Sequence, residues 1–111
     1  MLLIGREYIV NCVGTEYEGM RFEWERDKAR ANIVNHHGVT FFEAATVFAD
    51  PFSVIVVDDE HSIEEQRLLT VGMSARQRIL IVNYTERDDV IRIISAREAE
   101  PKEIRIYEEG E

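Results

Sequence analysis

The sequence predicts an α+β domain in which two helices are followed by an antiparallel sheet of about four strands and a final helix. Good helix formers fill the run from Glu25 to His37. Four apolar, β-branched segments lie beyond Pro51. Two of the connections between those segments are too short for a parallel crossover, so neighbouring strands are expected to be antiparallel.

The three predicted helices have recognisable start and stop signals. The first ends before Gly38, a residue that suits the left-handed conformation of a C-terminal cap. Thr40 and Glu43 form a capping box at the start of the second helix, which is expected to end before Asp50–Pro51. The last helix is expected from Pro101, where a missing amide hydrogen costs little, to Tyr107.

The predicted strands form a meander. Residues 74–77 and 85–89 are short, polar connections of hairpin length, whereas residues 58–66 form a longer acidic loop. The four strands are expected at Phe52 to Val57, Arg67 to Met73, Ile79 to Tyr84 and Val90 to Ser95.

The organisation predicted for the chain is an N-terminal extension, residues 1–21, followed by one domain, residues 22–111. Met20 is an alternative natural start just before that domain. If the extension is part of the protein, Leu2 to Ile4 and Tyr8 to Val13 are expected to add edge strands, because the second segment holds strong strand formers.

Composition limits the class of protein. A chain of 111 residues with 45% hydrophobic residues supports a single packed core. The lone Cys12 cannot form an internal disulfide, which is typical of a reducing compartment and predicts a cytoplasmic protein. The first apolar run is interrupted by Arg6 and Glu7, too early for a signal peptide or a membrane span.

The charge balance is acidic. Twenty-two Asp and Glu residues against 13 Lys and Arg residues give a formal charge of -9. This sign disfavours a protein that binds nucleic acid with its whole surface, but a local basic site remains open because several arginines lie in or beside the apolar segments. An acidic body also suits a basic protein partner.

Three stretches together carry a family resemblance. The run FEWERDKARANIVNHHGVTFFEAATVFADP starts at Phe22, RLLTVG starts at Arg67 and YTERDDVIRIISAR starts at Tyr84. In this order and spacing they resemble the BrnT-type toxins, small bacterial ribonucleases that a cognate antitoxin holds inactive. The resemblance implies a RelE-like fold, a metal-independent endoribonuclease that inhibits translation, and no cofactor. It also implies a ribbon-helix-helix antitoxin as partner, in a 2:2 assembly or with the toxin as a homodimer.

The resemblance implies four site residues by position: Lys28, Arg67, Ser95 and Arg97. Metal-free RNA cleavage needs a group that takes the 2′-hydroxyl proton, cations that stabilise the charge on the phosphate, and a proton donor for the leaving oxygen. Arginine suits the second task because its planar fork donates two hydrogen bonds to a phosphate. The alternative is that these arginines end strands in solvent or pair with the abundant acids.

Other polar residues are also candidates for the site. Glu86, in a predicted hairpin, is a candidate general base, or simply an exposed turn residue. Lys28, Asn32 and His36 follow at four-residue steps, so one helical face meets a phosphate or is merely solvated. His37 is either a helix cap or an acid–base group. The three histidines do not have the spacing of a metal site.

Strand alternation places Ser95 and Arg97 on one side of the last strand and Arg92 on the other. Beyond Arg97 the chain is acidic where the BrnT-type toxins commonly continue with basic residues. Two hypotheses therefore remain: an active ribonuclease toxin, and a non-catalytic, toxin-derived module that binds a protein partner in a regulatory complex.

Overall fold

The computed structural model describes residues 11–58 and 66–110. The expected strand Leu2 to Ile4, the first half of the strand Tyr8 to Val13, and residues 59–65 of the acidic loop lie outside these ranges. The elements within them are β1 Cys12–Tyr17, β2 Met20–Glu25, α1 Arg26–Asn35, α2 Phe41–Thr46, a 3-10 turn Val47–Ala49, β3 Val54–Asp58, β4 Arg67–Met73, β5 Ile79–Arg87, β6 Val90–Glu98 and α3 Pro101–Glu109.

The strands form one six-stranded sheet in the order β1-β2-β6-β5-β4-β3. The predicted meander is confirmed, because β3, β4, β5 and β6 pair antiparallel in sequence. The prediction of about four strands preceded by two N-terminal helices was wrong: the β1–β2 hairpin comes before the helices, and β2 pairs in parallel with β6. Connection lengths could not reveal that pairing, since it joins strands far apart in the chain.

The β1–β2 hairpin has a two-residue turn. Glu18 and Gly19 both have positive φ, 52° and 81°, as the turn type that matches the twist of paired strands requires. Residues Cys12 to Tyr17 then pair with Glu25 to Met20 without a break. The described part of the N-terminal extension therefore belongs to the same sheet as the four strands of the meander.

One face of the sheet, called the core face below, carries the hydrophobic core. Phe22 and Trp24 from β2 and Tyr84 from β5 are almost completely buried there. The α2 helix and the 3-10 turn cover them, with Trp24 edge-on to Phe41 at 5.8 Å and Phe48 edge-on to Tyr84 at 4.8 Å between ring centroids. Burial of each such side chain contributes about 1.5–3 kcal/mol.

Helix α1 is tied to β6 by one side chain. Strand β2 pairs with β6 only as far as Arg92, which leaves the next part of that edge unpaired by a strand. Asn32 takes the place of the missing strand: its Oδ1 accepts from the Ala96 amide at 3.0 Å, and its Nδ2 donates to the Ala96 carbonyl at 2.8 Å. The same Nδ2 donates to the Val39 carbonyl at 2.9 Å, so Asn32 also fixes the segment after α1.

Helix α3 packs on the opposite face of the sheet, against β4. It begins with Pro101 and a capping box formed by Glu100 and Glu103. Near its end, the Tyr107 hydroxyl donates to Asp50 Oδ2 at 2.7 Å. Burial and the Asp50 carboxylate raise the pKa of Tyr107 to about 12, so this donor keeps its proton at physiological pH.

Strand β6 contains a bulge at the centre of the sheet. Asn83 is opposite Ser95, but the next residue, Tyr84, is opposite Ile93, so Ile94 is an extra residue in β6. A bulge shifts the alternation of side chains by one position on the strand that contains it. Residues before and after Ile94 therefore exchange sides relative to a regular strand.

The bulge changes which arginines share a face. Arg92 is opposite Thr85, Ser95 is opposite Asn83, and Arg97 is opposite Ile81. These three β5 residues are two positions apart, so they and their partners on β6 point to the same face of the sheet. Arg92 thus lies on the same face as Ser95 and Arg97, and the prediction that it points to the other side was wrong. Arg92 Nη1 donates to Glu23 Oε2 at 2.8 Å.

Within the ranges given above, every helix is too short and too polar to cross a membrane.

Candidate functional site

A pocket of about 240 Å³ opens on the face of the sheet opposite the core, called the pocket face below. Strands β4, β5 and β6 form its floor, the end of α1 forms one side and the start of α3 another. Its polar lining residues come from four different elements: His36, Asn83, Ser95, Arg97 and Glu103. The apolar residues Leu69 and Ile81 complete the floor.

Ser95 and Asn83 are directly opposite each other on adjacent strands. Side chains in such a pair stand about 4.5–5.5 Å apart at their Cβ atoms, so the hydroxyl and the amide open into the same space. Arg97 follows Ser95 on the same face and lies opposite Ile81. Two residues that the sequence predicted for the site, Ser95 and Arg97, are thus brought together in one pocket.

Arg97 is held by a carboxylate. Its Nη1 donates to Glu103 Oε1 at 2.9 Å and its Nη2 to Glu103 Oε2 at 2.8 Å, a two-pronged pair between β6 and α3. The hydrogen bond to Glu103 raises the pKa of Arg97. Burial alone would raise the pKa of Glu103, but the bonds from Arg97 and from the Glu100 amide lower it, so the pair is fully charged.

This pair is only partly shielded from solvent. The Arg97 side chain keeps 38% of its surface exposed, whereas the Glu103 side chain keeps 10%. The guanidinium of Arg97 is therefore accessible from the pocket, while Glu103 fixes its orientation. An anion that enters the pocket meets a guanidinium whose position is already fixed, but which it shares with Glu103.

His36 reaches the pocket from the C-cap position directly after α1. Its amide donates to the Asn32 carbonyl at 2.9 Å, and Asn32 in turn is bonded to β6, so the helix end is fixed against the sheet. His37 faces elsewhere: its Nδ1 lies 3.4 Å from Glu98 Oε1, and its carbonyl accepts from Arg78. Of these two adjacent histidines, His36 is the one that lines the pocket with Ser95 and Asn83.

Asn83 has an unusual polar atom. Its Oδ1 is buried and has no hydrogen-bond partner among the residues that the structure describes. A buried acceptor left unpaired costs about 1–3 kcal/mol, so it calls for an explanation.

The other predicted site residues lie at different distances from the pocket. Arg67 is half-buried on β4, two residues before the pocket residue Leu69 and on the same face. Lys28 is exposed on α1, two turns before His36. Both are thus on elements that border the pocket, although neither is among its lining residues.

Glu86 is not brought to this pocket. It is exposed near the β5–β6 turn and is paired with Ile91, a residue of the core face. It lines a separate cleft with Arg21 and Asp88 at that end of the sheet. A joint catalytic role of Glu86 with Ser95 and Arg97 has no support in this arrangement.

The pocket offers groups for proton transfer and anion binding. An imidazole both accepts and donates protons, a guanidinium binds phosphate, and a hydroxyl and an amide supply further hydrogen bonds. In the part of the chain that is described, His, Cys, Asp and Glu side chains do not gather in groups of three or more that could hold a metal ion.

Sequence reasoning did not select Asn83 or Glu103 as site residues, and it considered His36 only as part of a helical face with Lys28 and Asn32. One signal was available for Asn83, because it is a single polar residue inside the apolar run ILIVNY. Glu103 was visible only as part of an acidic helix. Its contact with Arg97 depends on how α3 packs on the sheet, which sequence spacing does not show.

Comparison with known proteins places the chain in a family. The crystal structure of the Brucella abortus ribonuclease toxin BrnT is similar in fold, with a TM-score of 0.53 and 19% identity, over 69% of this chain and 92% of that chain. No curated protein matches the sequence. The family model of BrnT, the ribonuclease toxin of type II toxin-antitoxin systems, matches residues 24–103. The chain therefore belongs to the BrnT ribonuclease toxin family.

Proposed function

We propose that this protein is a metal-independent endoribonuclease toxin that cleaves RNA in the cytoplasm, inhibits translation, and acts through the pocket around Arg97. The observation that carries the proposal is the convergence of an oriented guanidinium, a hydroxyl and an imidazole from Arg97, Ser95 and His36 in one pocket. These are the group types that RNA cleavage requires without a metal.

Each residue has a proposed role. In the reaction the ribose 2′-oxygen attacks the adjacent phosphorus and loses its proton, the bond to the 5′-oxygen breaks, and that oxygen takes up a proton. His36 accepts the proton that the 2′-hydroxyl loses, and water supplies the proton that the 5′-oxygen takes up. Arg97 stabilises the negative charge on the phosphate as the new bond forms, and the Ser95 hydroxyl donates to a phosphate oxygen.

Lys28 and Arg67 extend the positive surface beyond the pocket. Lys28 is exposed on helix α1, which His36 follows directly. Arg67 is half-buried on β4, the strand that pairs with the Asn83 strand β5. We assign them to the neighbouring phosphates of the RNA chain. Binding through a few local cations fits an acidic protein, because long-range attraction between this chain and RNA is weak.

The test is cleavage of single-stranded RNA by the purified full chain in the presence of EDTA, with growth after induced expression followed in parallel. We expect cleavage and growth arrest from the native sequence. Arg97→Ala should lower cleavage by about 10²–10³-fold, as the removal of a donor to a developing charge does. Arg21→Ala, a strand arginine at the other end of the sheet, is the matched control and should remain active.

Loss of activity on adding EDTA would contradict metal independence. Full activity of a folded Arg97→Ala protein would remove the pocket as the site.

The proposed partner is an antitoxin of the ribbon-helix-helix type. The formal charge of -9 supports a basic partner, because complementary potentials accelerate association and exclude wrong partners. We propose a 2:2 assembly of toxin and antitoxin. Co-expression followed by light scattering should give the mass of two copies of each chain. A mass that corresponds to the toxin homodimer alone would contradict the proposed assembly.

A second function is favoured by one observation, the occupation of the Arg97 fork by Glu103. If Glu103 holds the arginine too firmly for phosphate to compete, the chain is a non-catalytic module that binds its antitoxin within a regulatory complex. Normal growth with abundant folded protein, absence of RNA cleavage, and an intact complex with the antitoxin would together support this alternative.

A further inference from the structure

We infer that Asn83 forms a nucleobase-binding subsite, in which its unpaired Oδ1 accepts a hydrogen bond from the exocyclic amino group of a base next to the scissile phosphate. This inference rests on the proposed ribonuclease function and goes beyond it, because it names the part of the substrate that the pocket selects.

The first argument is the unpaired oxygen itself. Asn83 Oδ1 is buried and without a partner in the described part of the chain. An apolar side chain of similar size at this position would avoid the energetic cost of a buried unpaired acceptor. A ligand that enters the pocket removes that cost when the amide turns its oxygen toward the ligand and accepts a hydrogen bond from it.

The second argument is the surface around this oxygen. Leu69 lies opposite Asn83 on one neighbouring strand, and Ile81 is the preceding residue of β5 on the same face. Both line the pocket. A ligand group with flat apolar faces and a polar edge fits this combination, since the faces pack on the aliphatic side chains while the edge meets the amide. A nucleobase has this form and a ribose does not.

The third argument is the distance to the proposed reaction centre. Ser95 lies directly across from Asn83, and Arg97 is two residues beyond Ser95 on the same face. A phosphate at Arg97 therefore places the adjoining nucleotide within reach of Asn83. The pocket volume of about 240 Å³ is below the range of about 300–1,000 Å³ typical of drug-sized ligands, which suits a single base.

The pairing chemistry favours adenine among the amino-bearing bases. An asparagine amide matches the adenine edge, with its oxygen accepting from N6 and its nitrogen donating to N7. A site that uses a buried polar group for such a bond rejects an analogue without the matching group, because the protein group is then left unpaired.

The experiment uses the full chain and short single-stranded RNAs with one variable base at the cleavage position: adenine, uracil, or purine without the 6-amino group. We expect kcat/KM for adenine to exceed that for the amino-free purine by about 10–100-fold, the ratio that corresponds to one unpaired buried acceptor. Asn83→Leu should reduce this ratio to near one. It should not lower the melting temperature, since it removes a buried unpaired oxygen. Thr15→Leu, on strand β1, is the control and should keep the native ratio.

Two results would overturn the inference: equal rates for adenine and the amino-free purine in the native protein, or an unchanged ratio in Asn83→Leu. If the native protein cleaves none of the RNAs, the proposed function fails. Binding of the same RNAs with a 2′-deoxy sugar at the cleavage position then decides the subsite: a preference for adenine that Asn83→Leu abolishes supports it, and absence of that preference overturns it.

Discussion

Two arginine–glutamate pairs use the same chemistry on opposite faces of the sheet, although both arginines also donate to Glu98. Arg78 and Glu43 join the β4–β5 connection to helix α2, with Nε donating to Oε2 at 3.0 Å. Arg97 and Glu103 join β6 to helix α3 on the pocket face, with both prongs at 2.8 to 2.9 Å. Each pair connects a strand or its end to a helix, and each carboxylate carries a lowered pKa.

The pairs differ in how completely they are enclosed. The Glu43 side chain is 3% exposed and also accepts from Ser74 Oγ at 2.6 Å, while Arg78 is 23% exposed. Arg97, by contrast, is 38% exposed at a pocket that contains Ser95 and His36. An enclosed pair can only stabilise the fold. A pair that opens into a pocket can also hold a cation ready for a ligand.

The largest expected effect is the loss of stability in Glu43→Ala. The change removes the Ser74 acceptor and leaves Arg78 only its longer bonds to the His37 carbonyl and Glu98. Breaking a mostly buried pair costs about 3–5 kcal/mol. Denaturation in urea measures it. Glu23→Ala, which removes the half-exposed partner of Arg92, is the control and should cost no more than about 1 kcal/mol. Similar losses in both variants would remove the distinction between enclosed and open pairs.

The second prediction compares Arg97→Lys with Arg78→Lys. Lysine keeps the charge but loses the planar fork, so one charge-assisted hydrogen bond of about 1.5–3 kcal/mol disappears in each variant. In Arg97→Lys the loss should appear as a decrease of roughly 10–100-fold in RNA cleavage with a nearly native urea midpoint. In Arg78→Lys it should appear as a lower midpoint with nearly native cleavage. The opposite assignment would reverse the roles of the two pairs.

The third prediction concerns acid. Burial alone would raise the pKa of Glu43, but hydrogen bonds from Arg78 and Ser74 and the Arg78 charge lower it below 4.5. The folded state therefore binds this proton less readily than the unfolded state, and the stability gained is present above about pH 4.5 and lost as pH falls through the lowered pKa. The unfolding free energy should decline below about pH 4.5.

Variants sharpen the acid prediction. Glu43→Gln should flatten the decline below about pH 4.5 more than Glu103→Gln does, because Glu43 is the more enclosed carboxylate. Urea denaturation between about pH 3 and 7 gives the comparison. An equal slope in the native protein and in Glu43→Gln would show that other carboxylates control acid unfolding.

The smallest effect is expected from Glu103→Gln. The change removes the negative charge of Glu103, which competes with a ligand for Arg97. A partly exposed ion pair contributes about 0.2–1 kcal/mol. Binding of a non-cleavable RNA should tighten by roughly 1.5–5-fold, the same free energy expressed as a ratio of binding constants. Weaker binding would show that Glu103 mainly positions Arg97 and competes little with phosphate.

Sequence reasoning recovered local features of this fold and missed long-range ones. One half of the predicted capping box is confirmed, because Thr40 Oγ1 accepts from the Glu43 amide at 3.0 Å. The other half is not formed, since the Glu43 carboxylate accepts from Ser74 and Arg78 instead. Gly38 has the left-handed conformation expected at a helix end, with φ 75°, and Pro101 begins α3. Each of these depends on a few adjacent residues. The parallel pairing of β2 with β6 depends on the packing of the whole chain and has no local signal.

The candidate site shows the same limit. Ser95 and Arg97 were predicted from the resemblance and share the pocket, whereas Asn83 and Glu103 enter it through strand register and helix packing. The catalytic roles of Ser95 and Arg97 stay predictions, as do those of Lys28, Arg67 and Glu86. The RelE-like character of the fold and the boundary after residue 21 also stay predictions.

The extra residue Ile94 has a consequence for how this protein tolerates insertions and deletions. Because Ile94 has no counterpart on β5, its deletion would restore a regular strand in which Ile93 still faces the core while Ser95 and Arg97 still face the pocket. The central strand therefore has one residue to spare. The same single-codon deletion in β5, which has no extra residue, would move every later side chain of that strand to the opposite face of the sheet.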